Sequence, residues 1–301
     1  MDRQPENLIP LIDGDILRYE IGFAAETGWR AITEERENIP PFHYVEKLLL
    51  SRLAYMRECI GTEEVGKIYL TEGPTFRYDL AKTKPYKGTR KDKKPWHYDN
   101  LTVYMRDVLG AEIVTEIEAD DAIAIEHCRS KVVIDGGVLC PREDGTCCGD
   151  PSNCPEEVRE PETIICSRDK DLRQLPGWFY SWELGKQASF GPVLISHEGT
   201  LEISEDKKKL IATGLAAFYG QVLTGDRVDN IPGLDKCGPV AAYNMLKDNI
   251  GDNRPFPEML LAVQDAYDDD ELLLEQGQLC WLVRRLNPDG SPQLWEIGLE
   301  E

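Results

Sequence analysis

Short apolar runs of β type alternate with stretches of helical spacing through the first two-thirds of the chain. Leu8 to Ile12, Lys67 to Leu70, Ala111 to Val114, Thr163 to Cys166 and Trp178 to Trp182 read as strands. Phe42 to Cys59 and Asn100 to Leu109 instead carry apolar residues at three-to-four spacing and read as helices. Such alternation predicts an α/β fold, a parallel-rich central sheet wrapped by helices. The strand C-termini form the working edge of a sheet of that kind. Acids recur there: Asp13 and Asp15 follow the first strand, Glu72 the second, Glu118 to Asp121 the third, and Asp169 and Asp171 the fourth.

After Glu202 the pattern turns helical, with Leu210, Ile211, Leu215, Phe218 and Val222 on one stripe that stops at Thr224-Gly225-Asp226. Asp229 to Leu234 is turn chemistry, and Gly238-Pro239 opens a further helix through Leu246. A helix-turn-helix subdomain is expected, dividing the chain into a core over 1–203 and a helical part over 204–301. Two stretches fall outside these layers: a basic arch over 77–98, and an insertion rich in Cys, Gly, Pro and acids over 136–161.

With 301 residues, 41% of them hydrophobic, the chain can bury the core of one large domain or two modest ones. No apolar run approaches the ~20 residues of a membrane span, and MDRQPENLIP lacks a signal-peptide core, so an intracellular protein with reduced thiols is expected. Cys59, Cys166 and Cys280 read as core fillers. A net charge of −21 speaks at first against a nucleic-acid partner. Its distribution changes this: Arg77, Lys82, Lys84, Lys87, Arg90, Lys91, Lys93 and Lys94 against Asp79 and Asp92 give a local balance of +6, leaving −27 elsewhere. A solvated lysine-rich loop is the competing reading; a basic strip beside an acidic metal site is the functional one.

Each acidic segment has an ordinary explanation when taken alone. Glu118, Asp120 and Asp121 suit a helix N-terminus, where the dipole favours acids. Asp120 and Asp121 diverge by about 100° around a helix, so only one of them points straight into a site. Asp169 and Asp171 suit a cap and first turn, and Asp226 and Asp229 suit a turn or one helical face. Together, Asp13, Asp15, Glu72, Glu118, Asp120, Asp121, Asp169, Asp171, Asp226 and Asp229 fall on one edge, where repulsion is costly unless cations offset it. Hard oxygen donors select Mg²⁺ or Mn²⁺, and two such ions about 4 Å apart suit in-line phosphoryl displacement.

In order, L-I-D-G-D, T-F-R, Y-K-G-T-R, E-A-D-D, S-R-D-K-D and T-G-D-R-V-D-N-I-P-G resemble the flap endonuclease and 5'-3' exonuclease family, which includes phage replication exonucleases and the 5'-nuclease domain of DNA polymerase I. The resemblance covers Leu8 to about Leu246, with a further echo from Leu274 to Trp295. It implies metal-site roles for Asp13, Glu118, Asp120, Asp121, Asp169, Asp171, Asp226 and Asp229, with Glu72 where the family has aspartate. It also implies a phosphate grip by Tyr86, Lys87 and Arg90, with lysine and arginine on one helical face, and DNA contacts by Arg77, Lys82 and Lys84. The turn around Gly233 and Gly238 would hold a duplex backbone, with a monovalent cation. Cys237 within that turn, and Val240 where the family often has lysine, depart from the pattern.

The implied activity is two-metal hydrolysis of DNA, either flap or duplex with a 5' end, and RNA–DNA hybrids are a further candidate substrate. The implied setting is the cytoplasm of a bacterium or a phage-infected host. A non-catalytic DNA-binding module of the same fold is the alternative, and a PIN-type RNA nuclease a remoter one. In the insertion, Cys140, Cys147, Cys148 and Cys154, with Cys128, supply enough thiols for a structural zinc, though without a C-x-x-C pair; a flexible reduced loop is the competing reading.

Overall fold

The computed structural model describes residues 7–33, 39–90, 93–129, 133–134, 137–138, 163–250 and 257–298. In chain order the elements are β1 (Ile9–Asp13), α1 (Gly14–Thr33), α2 (Phe42–Ile60), β2 (Lys67–Thr75), α3 (Arg77–Leu80), α4 (Tyr98–Asp107), β3 (Glu112–Glu116) and α5 (Ala119–Arg129). There follow β4 (Val133–Ile134), β5 (Gly137–Val138), β6 (Thr163–Cys166), β7 (Gly177–Ser181), β8 (Phe190–Ile195), β9 (Leu201–Ile203) and β10 (Leu210–Ala212). The last helices are α6 (Gly214–Thr224), α7 (Pro239–Leu246), α8 (Pro257–Tyr267) and α9 (Asp270–Cys280).

The main sheet runs β3-β2-β1-β6-β7-β8, parallel except for β8, which lies antiparallel to β7. The expected α/β architecture is therefore found, as a mixed sheet with an antiparallel edge. Because strand side chains alternate between faces, Ile12, Ile68, Leu70, Ile164 and Trp178 pack under α1, α2 and α4. Leu11, Tyr69, Val114, Ile165 and Phe179 pack under α5 on the other face. A third core joins α6 to α9 and reaches Tyr86 in the basic loop. The strand order reverses between β1 and β6, so the crevice beyond their carboxyl ends is where a ligand site belongs.

The structure departs from the sequence pattern at three places. A 20-residue helix, α1, starts directly at the end of β1 with no linker to announce it. Its Gly14 and Gly22 are points of close approach: a Cβ would stand 2.6 Å from the Tyr69 carbonyl oxygen at one and 2.4 Å from Pro95 at the other. Leu210 and Ile211 do not begin a helix; they form β10, paired with β9. Gly214, with φ +61, crowds the backbone of Gly199 and separates that hairpin from α6. Finally, residues 86–90 form turns and not a helix, with Lys87 at φ +54.

Candidate active site

The ends of β1 and β6, the start of α5 beyond β3, and an irregular stretch of β2 deliver carboxylates to one cleft of about 490 Å³, lined by Asp13, Asp15, Glu72, Glu118, Asp120 and Asp169. Glu72 lies within β2, which continues to Thr75, and not after its end as the sequence pattern suggests. Asp13 ends the central strand, and its oxygens accept from the Ile16 amide (3.0 Å) and the Ser167 hydroxyl (2.7 Å). Asp169 leaves β6 beside it, donates its amide to Ser167 Oγ (2.9 Å) and accepts from the Asp171 amide (2.9 Å). Ser167 thus sets the spacing of two acids on adjacent strands. Asp15 accepts from the Thr71 amide and pairs with Arg18 at 2.6 Å. Glu72 stands exposed on the rim.

The electrostatics of this cluster are unfavourable for bare carboxylates. Burial, then Asp15, pushes Asp13 from 3.8 up to about 7, and burial, then Asp169, does the same for Asp171. Asp120 is held well above the ordinary range by burial and by Asp13, Asp169 and Glu118. Among the described residues no donor is bonded to the Asp120 carboxylate; its strongest electrostatic neighbours are acids. Glu118 behaves oppositely: burial would raise it, but Arg77 and Lys87 outweigh burial and lower it. Asp226 is likewise lowered, against burial, by Lys170 and by the Val228 and Asp229 amides.

Cations stand over the acids on one side. Lys87 Nζ donates to Glu118, and Arg90 donates to Asp229. Tyr86 is buried, and its hydroxyl donates to Asp229 (2.9 Å) and Glu118 (3.2 Å), so it braces the two acids that hold Lys87 and Arg90. The two cations converge through a turn, although helical geometry was expected. Lys94 and Arg18 both lie 4.4 Å from the Tyr98 ring centre at the far wall. Lys170 bridges to Asp226 at 2.8 Å. Arg18, Ser167, Lys170 and Tyr98 were not singled out from sequence. For Lys170 alone there was a signal, its place inside S-R-D-K-D.

Two residues expected at the site are structural. Asp121 is fully buried and accepts from both terminal nitrogens of Arg77 (2.6 and 2.7 Å) and from the Glu118 and Val283 amides (3.0 and 2.9 Å). Every lone-pair direction is used internally, so it has none for an ion. Arg77, read as a phosphate contact, is buried with it and also donates to the Trp281 and Leu279 carbonyls. It ties α3 to the end of α9.

The turn beyond α6 is closed by paired backbone bonds between Asp226 and Ile231 (2.9 and 2.7 Å). Gly225 and Gly233, both at positive φ, pack so closely that a Cβ on either would overlap the other segment's backbone. Gly233, expected to offer its backbone to DNA, is buried, and its amide donates to Gln276 Oε1 (3.0 Å). Gly238 is exposed and lines a groove of about 510 Å³ together with Lys84, Arg227 and Lys236. Beside Gln276 on α9, Glu275 accepts from the Lys82 and Thr83 amides, leaving the Lys82 side chain exposed. Cys140, Cys147, Cys148 and Cys154 lie outside the described residues; Cys128 sits half-buried on α5 against the core.

No protein-family model matches the chain, and no curated protein matches it in sequence. Among solved structures it is similar to the bacteriophage T5 5'-exonuclease with divalent metal ions (zinc) bound, at 14% identity, covering 92% of this chain and 89% of that chain, with a TM-score of 0.50. The chain has the fold of this 5'-exonuclease. A further similarity is to the bacteriophage T5 flap endonuclease in a pseudo-enzyme-product complex with DNA and metal ions, at 13% identity, 92% and 89% coverage and a TM-score of 0.48. Among the described residues no helix is long and apolar enough to cross a membrane.

Among the described residues no three His, Cys, Asp or Glu side chains converge on one ion-sized point. The acids ring the cleft, and Asp13, Asp15 and Asp169 are held by their own hydrogen-bond partners. Their chemistry still fits hard divalent cations: buried oxygen donors, raised in pKa by one another. A pH dependence follows. Groups raised in the folded state, here Asp13 and Asp171, favour folding when protonated; that contribution is complete below about 3.8 and is lost as pH rises through about 7. Glu118 and Asp226, being lowered, act in the opposite sense only toward lower pH. Metal-free protein should therefore melt several degrees lower at pH 8 than at pH 6, and 10 mM Mg²⁺ should raise Tm more at pH 8. Equal Mg²⁺ shifts at both pH values in differential scanning fluorimetry would contradict this.

Proposed function

We propose that the protein is a divalent-metal-dependent 5'-nuclease that hydrolyses phosphodiester bonds of DNA. The observation that carries this reading is the set Asp13, Asp120, Asp169 and Asp171. Asp13, Asp169 and Asp171 come from the adjacent ends of β1 and β6 at the sheet's switch point, and Asp120 from the first turn of α5. Asp13 and Asp169 both raise Asp120, and Asp120, Asp169 and Asp171 line one pocket with Lys87 and Arg90. The motif order in the sequence and the shared fold support it, as do the divalent ions bound by the T5 protein.

Asp13, Asp120, Asp169 and Asp171 would hold two Mg²⁺ or Mn²⁺ ions, with Asp15, Glu72, Glu118, Asp226 and Asp229 orienting bound water. Such ions supply an activated water and stabilise the leaving oxygen. The chain's own part is positioning and charge. Tyr86 fixes Glu118 and Asp229, and these hold the Lys87 ammonium and the Arg90 guanidinium at the mouth of the cleft. From there the two cations can exchange a carboxylate for a phosphate oxygen. The groove at Lys84 and Gly238 is suited to a duplex backbone, with a monovalent cation at the turn as a further element of this reading.

Labelled duplex, 5'-flap and RNA–DNA hybrid substrates, incubated with Mg²⁺ and with EDTA, test the activity and its polarity. Release from the 5' end that EDTA stops is the expected result; metal-independent or absent cleavage by folded protein would leave the non-catalytic binding reading in its place. Lys87→Ala and Arg90→Ala should each lower the single-turnover rate by roughly 2 to 4 kcal/mol in barrier, with affinity changed far less. Normal rates at saturation would reduce both residues to docking contacts.

A further inference from the structure

Beyond Asp169, away from the arch, lies a second cleft of about 580 Å³. It shares only Ile16 and Asp169 with the first, so Asp169 stands on the divide between them. One wall is cationic. Arg173 stacks on the Phe190 ring, 4.3 Å from its centre, and among the described residues neither an acid nor a hydrogen-bond acceptor pairs with its guanidinium. Arg168 is tied to the Trp182 carbonyl and the Gln187 side chain, neither of which neutralises it. Lys209 adds an exposed ammonium. The facing wall is apolar, built from Leu210, Ile211 and Ala212 on β10 and from Ala217 on α6.

We propose that this second cleft holds the nucleotides that adjoin the scissile phosphate, with Arg173 and Arg168 on a backbone phosphate and β10 against a base or sugar. The inference rests on the nuclease reading and extends it. A strand lying across the acids has to continue past Asp169, and this is the cleft it enters. Its volume is that of a small-ligand site, and a cationic groove that tracks the backbone is what single-stranded nucleic acid uses, with the aliphatic wall of β10 offering van der Waals contact to a base or sugar. In a chain of net charge −21, guanidinium groups that no acid among the described residues pairs at ion-pair distance, with Asp169 acting on Arg173 only at longer range, are placed for an anion brought from outside.

The test uses full-length protein with Ca²⁺ replacing Mg²⁺, a fluorescent twelve-nucleotide oligothymidylate, and the variants Arg173→Gln and Lys209→Gln. Anisotropy should show Arg173→Gln weakening binding about ten-fold, the scale of one charged hydrogen bond. The dependence of log K on log salt should become shallower by about 0.7 for each phosphate that is no longer neutralised. Lys209→Gln, at an exposed position, should act in the same direction more weakly and serves if Arg173→Gln fails to fold. A 4-thiothymidine strand should photo-cross-link to residues 210–212. Wild-type protein that cuts DNA, with variants that bind equally well and cross-links elsewhere, overturns the second cleft alone. Wild-type protein that neither binds nor cuts nucleic acid overturns the cleft and the nuclease reading together.

Discussion

Replacing Asp169 and Asp171 together by asparagine should reduce Mg²⁺-dependent cleavage on the order of 10³-fold or more while leaving DNA affinity within a few-fold. Both acids leave β6 at the sheet's switch point, and both are raised in pKa, Asp171 to about 7, by burial and acid neighbours. Amide side chains keep the volume and accept the same backbone bonds but remove the charge an ion requires. On the proposed reading docking would use other groups, Lys84 and the turn at Gly238 among them, so affinity should survive. Folding should survive as well, since the substitutions relieve repulsion; a metal-free melting temperature no lower than wild type is the control. Undiminished Mg²⁺-dependent turnover by the folded double variant would remove these acids from the metal site.

The second large effect separates two neighbouring aspartates. Asp121→Asn should cost about 3 kcal/mol, a fall in melting temperature on the order of 10 °C, because it leaves the buried Arg77 guanidinium with only the more distant Glu118, at 3.9 Å, as a countercharge. Asp120→Asn should leave stability unchanged or raised, since it removes a half-buried carboxylate whose strongest electrostatic neighbours are Asp13, Asp169 and Glu118. Activity should respond the other way round, lost by roughly 100-fold or more in Asp120→Asn and retained by Asp121→Asn at temperatures where it is folded. Thermal denaturation and single-turnover assays on the same preparations read both quantities. Equal loss of stability in the two variants would contradict the division of labour.

That division shows how far the sequence could be read. The 100° between consecutive helical residues said that only one of Asp120 and Asp121 faces the site, but not which one. The decision lies in Arg77 and in the main chain at Val283, contacts that span 44 and 162 positions. The buried strands were legible because continuous apolar runs ending in acids carry their own boundaries. Helix α1 was not, because it follows β1 with no linker, and the need for its Gly14 and Gly22 lies in distant residues, Tyr69 and Pro95, that come close there. The hairpin of β9 and β10 was hidden because Leu210 and Ile211 continue the apolar spacing of α6, and only the close passage of Gly199 and Gly214 divides them. The basic loop was recognised by charge, yet its shape depends on Lys87 at positive φ and on the Lys87 amide bonded to the Asp229 carbonyl.

Glu275 and Gln276 are consecutive on α9, one holding the main chain at Lys82 and Thr83, the other the main chain at Gly233. A third hold follows at the end of the same helix, where Arg77 bonds the Leu279 and Trp281 carbonyls. The root of the loop above the acids and the floor of the turn are thus clamped to a common bar. A backbone seated on the turn meets the cleft at an offset fixed by a single helix, as if by a gauge block, and that offset is set before any substrate arrives.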